Sequence, residues 1–165
     1  MEKSKKYVML AAILCAVSII IMLAALMSPK TAVTGVFVPP EFERYAVAGE
    51  PEVPEKLGFI EPYMEGMSFR AGVCCNLPHN GNSADIYFTN NKENCVWLKL
   101  RISDENGNVL AETGLLRPGE YVKSVNFVAL PKSGQKVVYR VMAYEPETYI
   151  SRGYFTLKTI ASVSE

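Results

Sequence analysis

The residues of this chain best suited to chemistry are three cysteines and its single histidine: Cys74, Cys75, Cys95 and His79. Thiolates with one imidazole make a donor set that suits zinc or copper(I). Their spacing matches no metal-binding pattern, however. Adjacent cysteines on a strand point to opposite faces, so Cys74 and Cys75 reach one ion only if the strand bulges. A disulfide is the simpler use of such thiols in an oxidising compartment, with all three remaining reduced and inert as the alternative. Strand alternation puts Cys75 with the inward set and turns Cys74 and Cys95 away from the apolar sides of their strands. Cys74 and Cys95 are therefore the expected pair, provided their Cα atoms come within about 7 Å.

Other chemistries find little to work with. A hydrolase needs a nucleophile beside a base, and His79 lies in a loop with no G-x-S-x-G turn. Phosphate-loop and dinucleotide glycine patterns are absent, so no cofactor is expected. The acidic stretch Asp104-Glu105-Asn106-Gly107-Asn108 lacks the spacing and terminal glutamate of a calcium loop, and a hairpin turn explains it better. Trp97 stands on the outward side of its strand beside Lys99 and Arg101, where an indole stacks on a sugar or a partner protein. The simpler reading is an indole covered by neighbouring chain. Tyr139, Tyr144, Tyr149 and Tyr154, near the last two strands, are the further candidates for a contact surface, because tyrosine supplies rigid amphipathic area.

These residues must be positioned by a chain with three regimes. Residues 7–27 read YVMLAAILCAVSIIIMLAALM, 21 positions without a charge, long enough to cross the roughly 30 Å hydrocarbon layer as a helix. Lys3, Lys5 and Lys6 precede the run and only Lys30 follows closely, which leaves residues 1–6 in the cytoplasm and exports the rest. The competing reading, a cleaved secretory signal, has a shorter apolar region of about 7 to 15 residues, and Ala25-Leu26-Met27 makes a poor cleavage site. Cys15 follows Leu14 where a lipoprotein needs a small residue, so it is read as lipid-facing.

Residues 28–66 hold six of the ten prolines and carry seven glutamates against Lys30, Arg44 and Lys56, the composition of an extended, solvated linker. Val36, Phe37, Val38, Phe42, Tyr45, Leu57, Phe59, Ile60 and Tyr63 are too apolar for a free stalk, so part of it is expected to lie along the domain.

From Met67 to Glu165 the pattern becomes short alternating runs between turn residues, the signature of antiparallel strands. The first run, MSFRAGVCCNL, places Phe69, Ala71, Val73, Cys75 and Leu77 inward. ADIYFTN sets Ala84, Ile86 and Phe88 against a wet side of Asp85, Tyr87 and Thr89, and with CVWLKLRIS it reads as a hairpin across NKEN. Asn106-Gly107 makes the next hairpin, into VLAETGLL, and Pro118-Gly119 marks another turn. With YVKSVNFVAL, VVYRVMAY and YFTLKTIASV the count is seven. A sheet with one apolar face must bury it, which predicts an all-β, seven-stranded antiparallel sandwich of immunoglobulin-like type. A small barrel is the structural alternative.

The segments MSFRAGV, ADIYFTNNKENCVWLKLRISDENGNVLAETGLLRPGEYVKSV and VMAYEPETYISRG resemble a group of small exported proteins of Gram-positive, clostridia-type bacteria. In that group a membrane helix and linker precede a β domain with an N-x-x-N hairpin, a PGEY-like turn and a final A-Y-x-P/D-x-T stretch. The resemblance spans about residues 67–163 and implies location and fold. It implies no active site, and the Cys74-Cys75 and Cys95 set departs from the pattern.

The expectation is a single-pass cell-membrane protein, held in the lipid bilayer by residues 7–27, whose extracytoplasmic domain is a non-catalytic interaction or accessory module. Its partner is another envelope protein or, in the alternative, wall polysaccharide; thiol or soft-metal handling is the third reading. With 17 basic and 17 acidic residues the chain has no global field for nucleic acid.

Overall fold

Alternating apolar residues from position 71 onward give strands with one dry side, and in the computed structural model of the chain those sides face one another across a single core. The structure describes residues 6–7, 9, 13–19, 22, 37–62 and 66–163. Ten strands lie among them: β1 (Val47–Ala48), β2 (Phe59–Ile60), β3 (Ala71–Cys74), β4 (Leu77–Asn80), β5 (Ser83–Asn90), β6 (Trp97–Asp104), β7 (Val109–Glu112), β8 (Glu120–Asn126), β9 (Lys136–Tyr144) and β10 (Ser151–Val163). One 3-10 turn, Glu55–Leu57, precedes β2.

The strands form two antiparallel sheets, a β-sandwich architecture. In one, β1 pairs with β8, β8 with β5, and β5 with β3 and β4, while β2 adds to the edge of β3. In the other the order is β10-β9-β6-β7. The sheets meet at a seam where Ala161–Val163 of β10 run parallel to Leu77–His79. Phe69, Val73, Leu77, Ile86, Phe88, Leu98, Leu100, Ile102, Val141 and Phe155 fill the space between, with the rings of Phe69 and Phe155 stacked at 5.7 Å.

Three expectations change. The single strand expected over 67–77 breaks at Cys75 and Asn76, which lets its first half pair with β5 and its second half reach β10. β5 and β6 do not form a hairpin, because they belong to opposite sheets. The intervening loop is held by side chains: the Asn90 amide donates to the carbonyls of Val96 and Leu116, each at 2.9 Å, and Asn94 clasps the Arg70 backbone through both its amide atoms. The expected wet side of β5 is dry at Tyr87 and Thr89, since the preceding chain covers it.

That preceding chain is the largest difference. The domain expected to begin at Met67 is a compact unit from Val38 to Glu165. Residues 38–62 form a strap that starts beside Trp97 of the second sheet, where Phe42 packs, and continues over the first. Glu43 donates to the Leu115 carbonyl and Leu115 to that of Glu41, both at 2.9 Å, and Gly49 donates to Gly119 at 2.8 Å. Beyond the 3-10 turn, Cys75 and Asn76 donate to the carbonyls of Gly58 and Leu57. Prolines bar this segment from a central strand but not from short edge pairings, and its scattered apolar residues supply the anchors. Leu57 is buried with Cys74 and Tyr87, and Val53, Phe59 and Tyr121 pack around them.

Of the expected transmembrane segment 7–27, the described residues 7, 9, 13–19 and 22 are helical and exposed, with Ser18 hydrogen-bonded back to Leu14 and Cys15. Among the described residues no helix is long and apolar enough to cross a membrane. The rest of that segment, and residues 28–36 and 63–65 of the linker with Tyr63 among them, lie outside the described residues.

Candidate functional site

The outer side of the β10-β9-β6 sheet carries the candidate surface. Alternation along β6 turns Trp97, Lys99, Arg101 and Ser103 outward, and the register sets Trp97 opposite Tyr144, Lys99 opposite Met142, and Arg101 opposite Arg140. On β10 the outward residues are Tyr154, Thr156, Lys158 and Ile160, with Tyr154 beside Met142 and Thr156 beside Arg140. Tyr154 is 62% exposed, and the Arg140 guanidinium lies over its ring at 4.8 Å. At the β7 edge, Glu112 accepts from Lys99 at 2.9 Å and from Arg101. Partial burial raises the Glu112 pKa, but these two cations outweigh it and hold the carboxyl below its ordinary range.

The expected contact residues separate. Trp97 is half-buried, edge-on to Phe42 of the strap at 4.7 Å and to Tyr149 at 5.3 Å, while Arg117 caps Phe42 at 3.8 Å. Its ring neighbours thus occupy both edges of the indole. Tyr144 sits beside it, half-buried, its hydroxyl 3.6 Å from the Met142 sulfur. Tyr149 holds a left-handed backbone, φ 57, in the loop between β9 and β10. Tyr139 does not belong to any surface: its parity on β9 is that of Val137 and Val141, and it is 1% exposed in the core. Only Tyr154 stands open.

The cysteines do not converge. Cys74, Cys75 and Cys95 are all free; Cys74 is fully buried under the strap, and Cys95 is exposed in the β5–β6 loop. The clasp between Asn94 and Arg70 fixes Cys95 near residue 70, whereas Cys74 lies four residues further along an extended chain, roughly 13 Å away and beyond disulfide reach. Burial, with lesser contributions from Cys75 and Asp85, pushes the Cys74 thiol up to about 12, and burial also raises Cys75. Both are poorer nucleophiles as a result. His79 pairs through its backbone with Ala84, and its side chain lies outside the described residues. Among the described residues no three metal-ligating side chains gather.

Two features were not anticipated. Asn90 is fully buried, and its amide joins the loop to both sheets; the richness of 90-NNKEN-94 in turn residues signals a loop but not which asparagine turns inward. A cleft of about 450 Å³ opens between Gly49–Pro51 of the strap, Phe59, and Thr89–Lys92, with a Glu50–Lys92 ion pair at its rim. The Asp104 cluster is a turn: its carboxylate accepts from the backbone of Asn106 and Asn108 and from the Asn108 side chain, and these bonds lower its pKa. Comparison of the chain with protein-family models, with curated proteins and with solved structures yields no match.

Proposed function

We propose that the chain is a membrane-anchored, non-catalytic interaction module of the bacterial envelope. Residues 7–27 cross the bilayer once with the N-terminus in the cytoplasm, and an immunoglobulin-like sandwich outside binds another envelope component. The charge-free apolar run and the preceding Lys3, Lys5 and Lys6 support the anchor. The strand pairing supports the finer fold: β3, β5 and β8 oppose β6, β9 and β10, and a broken first strand joins both sheets.

The observation that carries the reading is an asymmetry. The strap covers the outer side of the β3-β5-β8 sheet and meets the opposite outer side only at Trp97, through Phe42, while β9 and β10 bear exposed Tyr154, Arg140 and Lys158 there. The part of that face the strap leaves bare, on β9 and β10, is available to a partner. The test is cross-linking in intact cells with a photoreactive residue at position 154 of the full-length protein, compared with one at exposed Tyr45 on the strap and with a form lacking residues 1–27. Capture of one envelope component from position 154, absent from position 45 and lost without the anchor, is expected. Capture from position 45 alone contradicts the choice of face.

A further inference from the structure

The bare face is not neutral. Arg101, Lys136, Arg140 and Lys158 project from it or its margin, with Lys99 largely covered beside them, against Glu112 and Glu105. The covering strap is the reverse, with six glutamates against Arg44 and Lys56 over residues 38–62. Arg101 and Arg140 are direct cross-strand partners, an arrangement that like charges disfavour. Glu112 offsets Lys99 and Arg101 but not Arg140. Arg140 faces no carboxylate among the described residues and lies instead over the ring of Tyr154. Stacking of this kind fixes the guanidinium plane while leaving its N–H edge free to donate.

We propose that this face binds a linear phosphodiester polymer, with Arg140 and Lys158 as its principal contacts and Tyr154 as the platform beneath Arg140. This rests on the β6-β9-β10 surface being the interaction face. The cations do not converge on a pocket that would hold one small anion. They are spread over three strands, about 4.8 Å apart across the sheet and about 6.7 Å apart for alternate residues along it. A chain with repeating charge meets several of them at once and gains from multivalency. A phosphodiester carries its charge in its own backbone, so it lies flat across a sheet with each anion at contact height. The guanidinium fork suits the paired non-ester oxygens. The ion pair at Lys136 is exposed and exchangeable at little cost.

The test uses the full-length protein in neutral detergent micelles and a synthetic poly(glycerol phosphate), with polygalacturonate and dextran as carboxylate and neutral comparators. Binding of the phosphate polymer that weakens steeply with salt is expected. The pair Arg140→Ala and Lys158→Ala should lower affinity by about tenfold or more, from the loss of two charge-assisted contacts. Lys123→Ala, on the other sheet, should leave it unchanged. Arg140→Lys, which keeps the charge and loses the fork, should fall between. No binding, an affinity unmoved by the double variant, or a preference for polygalacturonate overturns the proposal. A protein captured through position 154 with no polymer bound removes this assignment and leaves the interaction reading standing.

Discussion

The ring of Phe59 occupies the space that any side chain at Gly72 would need, so the strap and the β3-β5 sheet meet where there is no Cβ. A second such place lies at Gly114, where an added Cβ would stand 2.5 Å from the backbone nitrogen of Glu43. The two contacts fasten opposite parts of the strap, and neither glycine is needed for a left-handed turn. Each is explained by the close approach of another chain segment.

Gly72→Ala therefore acts on docking rather than on local backbone. Displacing Phe59 should cost about 1 to 3 kcal/mol, the range for overpacking a filled site. Urea denaturation of the full-length protein in micelles should show a lower midpoint, and Phe59→Ala combined with Gly72→Ala should cost less than the sum of the two singles.

Asn90→Ala should be more damaging. It leaves the Val96 carbonyl without its side-chain donor, takes from the Leu116 carbonyl one of two donors while the Leu98 N–H remains, and removes the acceptor for Asn94. A loss of about 2 to 4 kcal/mol is expected, from unpaired buried groups together with a loosened inter-sheet loop. Denaturant titration measures it, and Asn91→Ala, at the surface end of the same turn, should cost well under half as much.

How far the sequence reaches is visible in these same residues. The inward parity of Leu98, Leu100 and Ile102, and the turns at Asn106-Gly107 and Pro118-Gly119, are local properties that follow from alternation and from backbone preference. Which strands pair is not local: β5 and β6 read as a hairpin until Asn90 and Asn94 are seen to carry the chain from one sheet to the other. Tyr139 was misplaced because proximity in sequence says nothing of parity, which β9 itself settles. The strap was half legible. Its apolar residues announce docking, but prolines and glutamates disguise where the folded unit begins, and the glycines that receive it are meaningful only with Phe59 and Glu43 beside them. For the bare face, the basic residues were readable singly. Their grouping required the register of three strands.

Thiol reactivity should follow burial in order. At about pH 8, where an ordinary thiol is partly ionised, an aromatic disulfide reagent should modify Cys95 within seconds to minutes and Cys74 only on unfolding. Because the folded Cys74 thiol titrates near 12 rather than at its model-compound value of 9.0, it stabilises the fold at all pH below about 9. That contribution is lost as pH rises from about 9 toward 12, so alkaline unfolding of the Cys74→Ala variant should show a shallower dependence on pH over this interval.

Glu112 has the opposite sign. Its folded pKa is depressed below 4.5, so its contribution is present above that value and is lost as pH falls through the folded pKa. Glu112→Gln should cost about 1 kcal/mol at neutral pH and flatten the acid limb of the stability profile, as read by thermal unfolding between pH 3 and 6. Removing this carboxylate also leaves Arg101 and Arg140 facing one another unrelieved, so the loss should shrink in high salt.

The account turns on residues 38–62 belonging to the fold and covering one sheet, which leaves the β9-β10 part of the other face to a partner. Amide hydrogen exchange on the full-length protein tests this directly at Glu43, Gly49 and Cys75, whose N–H groups donate to Leu115, Gly119 and Gly58. Protection of all three is the predicted result, with Cys75 losing it in Gly72→Ala and Glu43 losing it in Gly114→Ala. Exchange of Glu43 and Gly49 at the rate of an unstructured peptide while β5 and β9 remain protected would contradict it.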